Sequence, residues 1–409
     1  MRTVVIVGAG QGGFQVAASL RDEKFDGRIV LVGDEPELPY QRPPLSKAYM
    51  NRTMLDSGIY LRPDTFFAQH NIELMTGAMV TRVDRVAKQI ALGSGGRLDY
   101  DHLVLATGAR NRLLPVPGNE LDGVVYLRSL ADARSVRERI DMVQNIVVVG
   151  AGFIGLEFAA VAAKRGKKVT VIESTERAMG RAISREISDF FQDAHRAWGT
   201  ELLFGTTLKR IDGDDHVSEV ETSDGRVIPA DLVAVGIGVV PNTELASDAG
   251  LRVANGIVVD TQLSTADAAI SAVGDCVNFP SHFAGASVRL ESVQNAVDQG
   301  KAIAARLMGK SISYNAVPWF WSDQGDLKLQ MVGLTAGHDQ TVVRGDPAER
   351  AFSVFCFQGG KLLGIETVNR ASDHVMGRRL LAQPTSLSPD EVAAENFDLK
   401  AYVMASANR

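Results

Sequence analysis

The sequence predicts an α/β protein in which one doubly wound βαβ unit occurs twice, with a smaller α+β domain after it. Three observations carry this. Residues 4–7 (VVIV) form an unbroken apolar run, followed by glycines at 8, 10 and 13. Nearly the same text returns at 146–155 as IVVVGAGFIG, with glycines at 150, 152 and 155. From residue 318 onward the pattern changes to strand-like segments separated by turns. Short apolar runs without alternation suit strands buried on both faces of a parallel sheet.

The first unit continues with an apolar helix over 14–20 and a second strand, RIVLVGD, ending in Asp34, about twenty residues past the last glycine. Each glycine has a task. Gly8 permits the tight turn, Gly10 lets a pyrophosphate approach the backbone, and Gly13 lets helix and strand pack closely. Phosphate is expected at the helix N-terminus, where free N–H groups and the helix dipole favour anions. The acid closing the second strand accepts from ribose hydroxyls. The second unit repeats this grammar: strand 146–149, Gly150, Gly152 and Gly155, a helix to about Lys164, and strand KVTVIE ending in Glu173. One GxGxxG alone is weak. Two, each with strand, helix and acid in register, predict two bound dinucleotides. One is expected to be FAD and the other a nicotinamide coenzyme that delivers hydride to it.

The order along the chain assigns them. Ala106-Thr107-Gly108, after strand HLVLA, reads as the point where the chain leaves the FAD domain, and DLVAVGIG (231–238) as the strand that brings it back. The expected division is a discontinuous FAD domain, 1–110 and 241–317, an inserted nicotinamide domain, 111–240, and a C-terminal domain, 318–409. STADAAISAVGDC (264–276) ends in Gly274-Asp275 and is similar to the second FAD signature of two-dinucleotide flavoproteins, whose aspartate bonds the ribityl chain. The helix expected in ESVQNAVDQGKAIAARL (291–307) would stabilise negative charge on the flavin if its N-terminus points there. Glu173 favours NADH, because a carboxylate accepts from the 2′-hydroxyl and repels the 2′-phosphate of NADPH. At about 4 Å and an effective dielectric near 20, one such charge pair is worth roughly 4 kcal/mol. Arg177, close by in sequence, would soften the preference.

Composition excludes several classes. Lys and Arg number 43 against 49 Asp and Glu, a net charge of −6, and general nucleic-acid binding needs clustered cations instead. A local basic patch for an acidic protein partner stays open. The two cysteines, Cys276 and Cys356, match no metal or CxxC spacing, and read as free thiols in a reducing cytoplasm. The first residues run straight into a strand, without the pattern of a signal peptide. The apolar run 146–163 is broken by glycines and Glu157, so no membrane span is expected. The scattered histidines suggest no metal site. No cysteine lies in PPLSKAYM, which disfavours disulfide reductase, peroxidase and cysteine-type oxidase chemistry.

PYQRPPLSKAYM (39–50), the two glycine fingerprints, PNTELA (241–246), AVGDC (272–276) and PWFWSDQ (318–324) span nearly the whole chain. In these stretches it resembles the FAD-dependent ferredoxin reductases of bacterial oxygenase systems. The resemblance implies a glutathione-reductase-like fold and electron delivery from NADH through FAD to a [2Fe–2S] ferredoxin, which serves a cytochrome P450 or Rieske oxygenase. By position it implies FAD contacts from Gly12 and Gly13 over the pyrophosphate and from Asp34, Arg42, Lys47 and Val80. It adds Ala106, Thr107, Gly108, Arg128, Gly274, Asp275, Glu291, Ser292, Val293 and Trp321. NADH would lie on Gly150, Gly152, Ile154 and Gly155, with its adenosine ribose on Glu173. Lys47 is implied to approach the flavin and pair with Glu157 near the nicotinamide, which makes Lys47, Glu157 and Trp321 the candidate catalytic residues.

Local sequence adds to that. The two prolines of QRPPLSK fix φ and present Lys47 rigidly. Glu157 lies in the apolar text GFIGLEFAAVAA. Trp319 and Trp321, two apart in an extended segment, share a face. Beyond them, KLQMVGL, TVVRG, FSVFCFQ and KLLGIETV read as strands, with helices near 371–382 and 388–395. The function expected is NADH:ferredoxin oxidoreductase in a monomer or homodimer, through a transient contact below roughly 1,200 Å². The alternatives are a rubredoxin reductase, a cysteine-free NADH oxidase, or a non-enzymatic redox-sensing binding protein.

Overall fold

A computed structural model describes residues 1–406. The chain divides into two units. The first comprises Met1–Gln41, Asp56–Arg110 and Val240–Pro318. The second comprises Arg42–Leu55, Asn111–Val239 and Trp319–Arg409. The segment Arg42–Leu55, which carries the PPLSK text, therefore clusters with the second unit.

The first unit is built on a five-stranded parallel sheet in the order Ile270–Ala272, His102–Leu105, Thr3–Val7, Arg28–Val32, Ile72–Met75. Val4, Val5 and Ile6 are fully buried, as are Ile29, Val30 and Leu31; this is why neither strand alternates. The glycine turn after Val7 leads into helix Gln11–Asp22. Helix Val293–Leu307 packs on it at Gly300, where a Cβ would lie 2.9 Å from the Cβ of Gln15. Strands Val80–Asp84, Gln89–Leu92 and Arg97–Asp99 form a small antiparallel sheet.

The second unit repeats the parallel sheet: Thr200–Leu203, Lys168–Ile172, Asn145–Val149, Leu232–Val235, Val124–Tyr126. The inner strands correspond one to one with those of the first sheet. The outer strand differs: Ile270–Ala272 comes last in the chain among the strands of its sheet, whereas Val124–Tyr126 comes first among those of its own. Helix Phe153–Lys164 follows the second glycine turn. The tail folds as a five-stranded antiparallel sheet, in the order Trp319–Gln324, Leu327–Gly333, Lys361–Val368, Ala351–Gln358, Gln340–Asp346. Helices Ala371–Leu381 and Pro389–Ala393 follow. A last helix, Leu399–Ser406, was not expected from the sequence. Trp319–Gln324 packs against helix Phe153–Lys164, which brings the WFWSDQ text beside Glu157.

Candidate active site

In the first unit the glycines divide by cause. Gly8 has φ +112°, and a Cβ there would lie 2.1 Å from the carbonyl oxygen of Ala106. A Cβ on Gly13 would meet the Gly8 oxygen at 1.9 Å. On Gly12 it would press on Val273 at 3.2 Å. All three are glycine because the chain fills the space. Gly10 is different. It caps helix Gln11–Asp22 with extended φ −77°, without a side-chain cap, and a Cβ there would meet nothing within 4 Å. Nothing in the protein requires glycine at 10, but a phosphate lying on the helix N-terminus does. The cradle fits a dinucleotide.

Around this turn Asp34 is exposed just past the second strand. Thr107 and Gly108 are strapped to Asn242: Thr107 Oγ1 donates to the Asn242 carbonyl at 2.6 Å, and Asn242 Nδ2 returns a bond to the Thr107 carbonyl at 2.9 Å. This gives the PNTELA text a role that the sequence reading did not assign. Ala106 and Val80 are buried. Gly274 has φ +84° and starts a short 3₁₀ turn holding Asp275. Gly274 N donates to Gln299 Oε1 at 2.8 Å. Glu291 is exposed and pairs with Arg289 at 2.6 Å. Ser292 caps helix Val293–Leu307, accepting from Asn295 N at 3.1 Å, and Val293 opens that helix.

The second unit shows the same division. Gly150 has φ +103°, and a Cβ on Gly155 would meet the Gly150 oxygen at 2.2 Å. Gly152, the uncapped N-cap, has only the Gly236 oxygen at 3.9 Å. Ile154, the second residue of the helix, is 44% exposed. It borders a groove lined by Tyr126, Gly155, Val235 and Gly236. An open glycine and a solvent-facing isoleucine beside a groove suit a bound coenzyme.

Glu173 is more occupied than its position suggested. Its Oε2 accepts from Ala151 N, inside the glycine turn, at 2.8 Å, and its Oε1 accepts from Thr175 N at 2.8 Å and Thr175 Oγ1 at 2.9 Å. Burial pushes its carboxyl up, but these bonds outweigh burial and hold it below the usual glutamate range. Glu173 thus clamps the turn and carries the negative charge. Arg177 turns away from this edge: its guanidinium donates to the carbonyls of Gly180, Ile183 and Ser184. The softening expected of Arg177 is therefore a correction, because its donors hold a loop.

Lys47, Glu157 and Trp321 all lie in the second unit. Pro43–Ser46 forms a 3₁₀ turn with proline at its start, and Lys47 closes it. Lys47 Nζ lies 2.7 Å from Glu157 Oε2 and 3.2 Å from the Pro43 carbonyl. Glu157 is 3% exposed. Ser46 Oγ donates to its Oε2 at 2.6 Å and Ser322 Oγ to its Oε1 at 2.7 Å. Burial drives this carboxyl upward, while Lys47 and the two serines pull it back. Removing one partner of a buried ion pair strands the other charge and costs about 3–5 kcal/mol. Arg42 donates to the Arg128 carbonyl at 2.8 Å. Trp319 and Trp321 share a face as expected, with ring centroids 5.6 Å apart. The Arg378 guanidinium sits 4.7 Å over Trp319.

Sequence reading missed Ser46 and Ser322. Ser46 was within the quoted PPLSK, and Ser322 sits on alternate period from the tryptophans that drew attention in WFWSDQ. Cys276 and Cys356 are both buried and free. Among the described residues no cluster of His, Cys, Asp or Glu suits a metal ion, and no helix is long and apolar enough to cross a membrane.

Comparison with known proteins agrees with this geometry. Residues 2–300 match the pyridine nucleotide-disulphide oxidoreductase family and residues 319–403 the reductase C-terminal family. The chain is 51% identical over 399 residues to rhodocoxin reductase of Rhodococcus erythropolis, covering 97% of this chain and 93% of that one. The ferredoxin reductase for the CYP199A2 system of Rhodopseudomonas palustris superposes with a TM-score of 0.97 at 51% identity, covering 98% and 100% of the two chains. The covalent putidaredoxin reductase–putidaredoxin complex matches with a TM-score of 0.96 at 41% identity, covering 100% and 99%. The chain belongs to the pyridine nucleotide-disulphide oxidoreductases and, among them, to the ferredoxin reductases with a glutathione-reductase-like fold and a C-terminal reductase domain. Its cofactors are those of that family, FAD and NAD(P)H.

Proposed function

We propose that the protein passes electrons from NADH through FAD to a [2Fe–2S] ferredoxin, which in turn serves a cytochrome P450 or Rieske oxygenase. The observation that carries this is the pair of uncapped helix starts whose glycines, Gly10 and Gly152, face open space. Residues 1–110 and 241–317 hold FAD, with Gly10 under the pyrophosphate, Asp34 on a ribose and Asp275 on the ribityl chain. Residues 111–240 hold NADH on Gly152 and Ile154, and residues 318–409 are the C-terminal domain. Bound FAD supplies the junction between hydride chemistry and single-electron transfer.

The chain's own residues position and bias these ligands. Glu173 locks the glycine turn through Ala151 N and sets a full negative charge where a 2′-phosphate would lie, so NADH is preferred. Lys47, anchored on Glu157, holds a fixed cation for the charge that accumulates as hydride arrives. Neither cysteine can act as a redox thiol: burial raises both thiols, and a thiolate is the reactive form. The two buried thiols suit a reducing compartment, and we place the enzyme in the cytoplasm as a monomer or homodimer.

Stopped-flow absorbance of the FAD-loaded protein tests the reading. NADH bleaches the flavin at least tenfold faster than NADPH at equal concentration, and oxidised ferredoxin then restores the colour far faster than air does. Reoxidation by air as fast as by ferredoxin would favour an oxidase, and equal rates with both coenzymes would remove Glu173 from selectivity.

A further inference from the structure

Ser322, Gln324 and His195 lie outside the residues assigned to either dinucleotide. They form a hydrogen-bonded chain that ends on Glu157, and every donor in it points the same way. His195, fully buried on helix Arg185–Ala197, places Nε2 2.9 Å from Gln324 Oε1. A carboxamide oxygen only accepts, so the imidazole proton sits on Nε2. His195 Nδ1 has no partner, as suits a neutral ring with its one proton on Nε2, and burial lowers its pKa to about 4. Gln324 Nε2 donates to Ser322 Oγ at 3.2 Å and approaches Met179 Sδ at 3.5 Å. Ser322 Oγ donates to Glu157 Oε1 at 2.7 Å. The reversed amide would spend the Ser322 proton on Gln324 and leave two bare oxygens facing each other at Glu157. Only one orientation satisfies the whole chain.

Aligned donors polarise one another, and each bond to a carboxylate favours its charged form. The neighbours of Glu157 are few. The PPLSK turn supplies Ser46 and Lys47, strand Trp319–Gln324 supplies Ser322 and Gln324, and helix Arg185–Ala197 supplies His195 behind them. Asp323 points to the other face of its strand by alternation. Lys47 is the charged partner and His195 the second titratable group.

We propose that Ser322, Gln324 and His195 are positioning residues whose directed hydrogen bonds keep Glu157 ionised inside the protein, and thereby keep Lys47 fixed during hydride transfer. The last clause rests on the function proposed above. The chain reaches Glu157 from the side opposite Lys47, so the carboxylate has donors on both oxygens. That arrangement exceeds what satisfying one buried serine requires.

The test is an infrared pH titration of the holoenzyme, following the carbonyl band of protonated Glu157 identified by its loss in Glu157→Gln. The acid limb of flavin reduction by NADH is measured beside it. Ser322→Ala raises the titration midpoint by about one to two pH units, the loss of one hydrogen bond to a charged group. Gln324→Met raises it by less, and Ser322→Thr, which keeps the hydroxyl, returns it to the wild-type value. The limb of flavin reduction moves by the same amount. An unmoved midpoint in both Ser322→Ala and Gln324→Met overturns the proposal. A moved midpoint with an unmoved kinetic limb supports the hydrogen-bond chain and overturns the role given to Lys47 and Glu157 in hydride transfer.

Discussion

At the scale of single residues, the two glycine fingerprints hide different physics at each position. Gly8 and Gly13 are glycine because Ala106 and the Gly8 carbonyl occupy the space a Cβ would take. Gly10 is glycine although its backbone angles admit alanine and its Cβ direction is open. Replacing both kinds with alanine separates folding from binding. Gly10→Ala costs the FAD-free protein only about 1 kcal/mol, because alanine caps a helix less well than glycine but nothing collides with its methyl group. It weakens FAD retention, since the methyl group stands where the pyrophosphate must approach. Gly13→Ala destabilises by several kcal/mol before any ligand binds, because backbone must move to admit the methyl group. Urea unfolding of the stripped proteins and FAD titration check both halves. A loss of stability in Gly10→Ala as large as in Gly13→Ala would show that the open direction at Gly10 is filled. The sequence named all of these glycines, but only packing distances tell which serve the fold and which serve the ligand. Glu173 carries the same lesson: its place after the second strand was legible, whereas its bond to Ala151 N depends on a turn whose shape no local pattern gives.

At the scale of elements, legibility followed the strength of the periodic signal. Both central strands, the helices after them and most of the tail strands were readable, because continuous apolar runs, glycine turns and β-branched segments are local properties. The antiparallel strands Val80–Asp84, Gln89–Leu92 and Arg97–Asp99 were passed over; they are short and half exposed, and the outer two carry Arg and Asp. Pairing also escaped, since nothing local tells that strand Trp319–Gln324 meets helix Phe153–Lys164. The same holds for Ser184, which caps helix Arg185–Ala197 and donates to buried Glu366 at 2.6 Å from a distant strand. Helix Val293–Leu307 was readable, but the demand at Gly300 was not. In an exposed helix, Gly→Ala gains about 1 kcal/mol. Here the added Cβ would lie 2.9 Å from Gln15 Cβ and 3.2 Å from Val16 N. The helices must separate, and overpacking typically costs about 1–3 kcal/mol. Gly300→Ala is therefore expected to destabilise the protein in denaturant unfolding. A gain of stability would show that the two helices slide apart at little cost.

At the scale of the whole molecule, the buried titratable groups set how the protein answers acid. His102, the first residue of a strand in the first sheet, has its pKa lowered to about 3 by burial and then by Arg306. His195 and His374 are each lowered to about 4, mainly by burial. An unfolded histidine titrates near 6.5. Between that value and the folded values, the unfolded chain binds protons that the folded chain refuses, so stability is fully present above about pH 6.5 and falls as pH drops. Glu157 and Glu366 work against this. Burial raises both carboxyls, so the folded protein takes up protons there at a pH where the unfolded chain does not, which returns stability on acidification. The two groups of residues oppose each other, and one substitution reads the histidine contribution by itself. His102 Nε2 meets Ser271 Oγ at 2.9 Å, a bond that a glutamine amide can replace without a titrating group. His102→Gln is expected to flatten the fall in stability between about pH 6 and pH 4 by one proton, about 1.4 kcal/mol per pH unit. The quantity to compare is the slope across urea unfolding curves at several pH values, because any constant offset from the lost imidazole cancels in it. A slope identical to that of the wild type would mean that His102 accepts its proton in the folded state, and the buried-neutral assignment would fall.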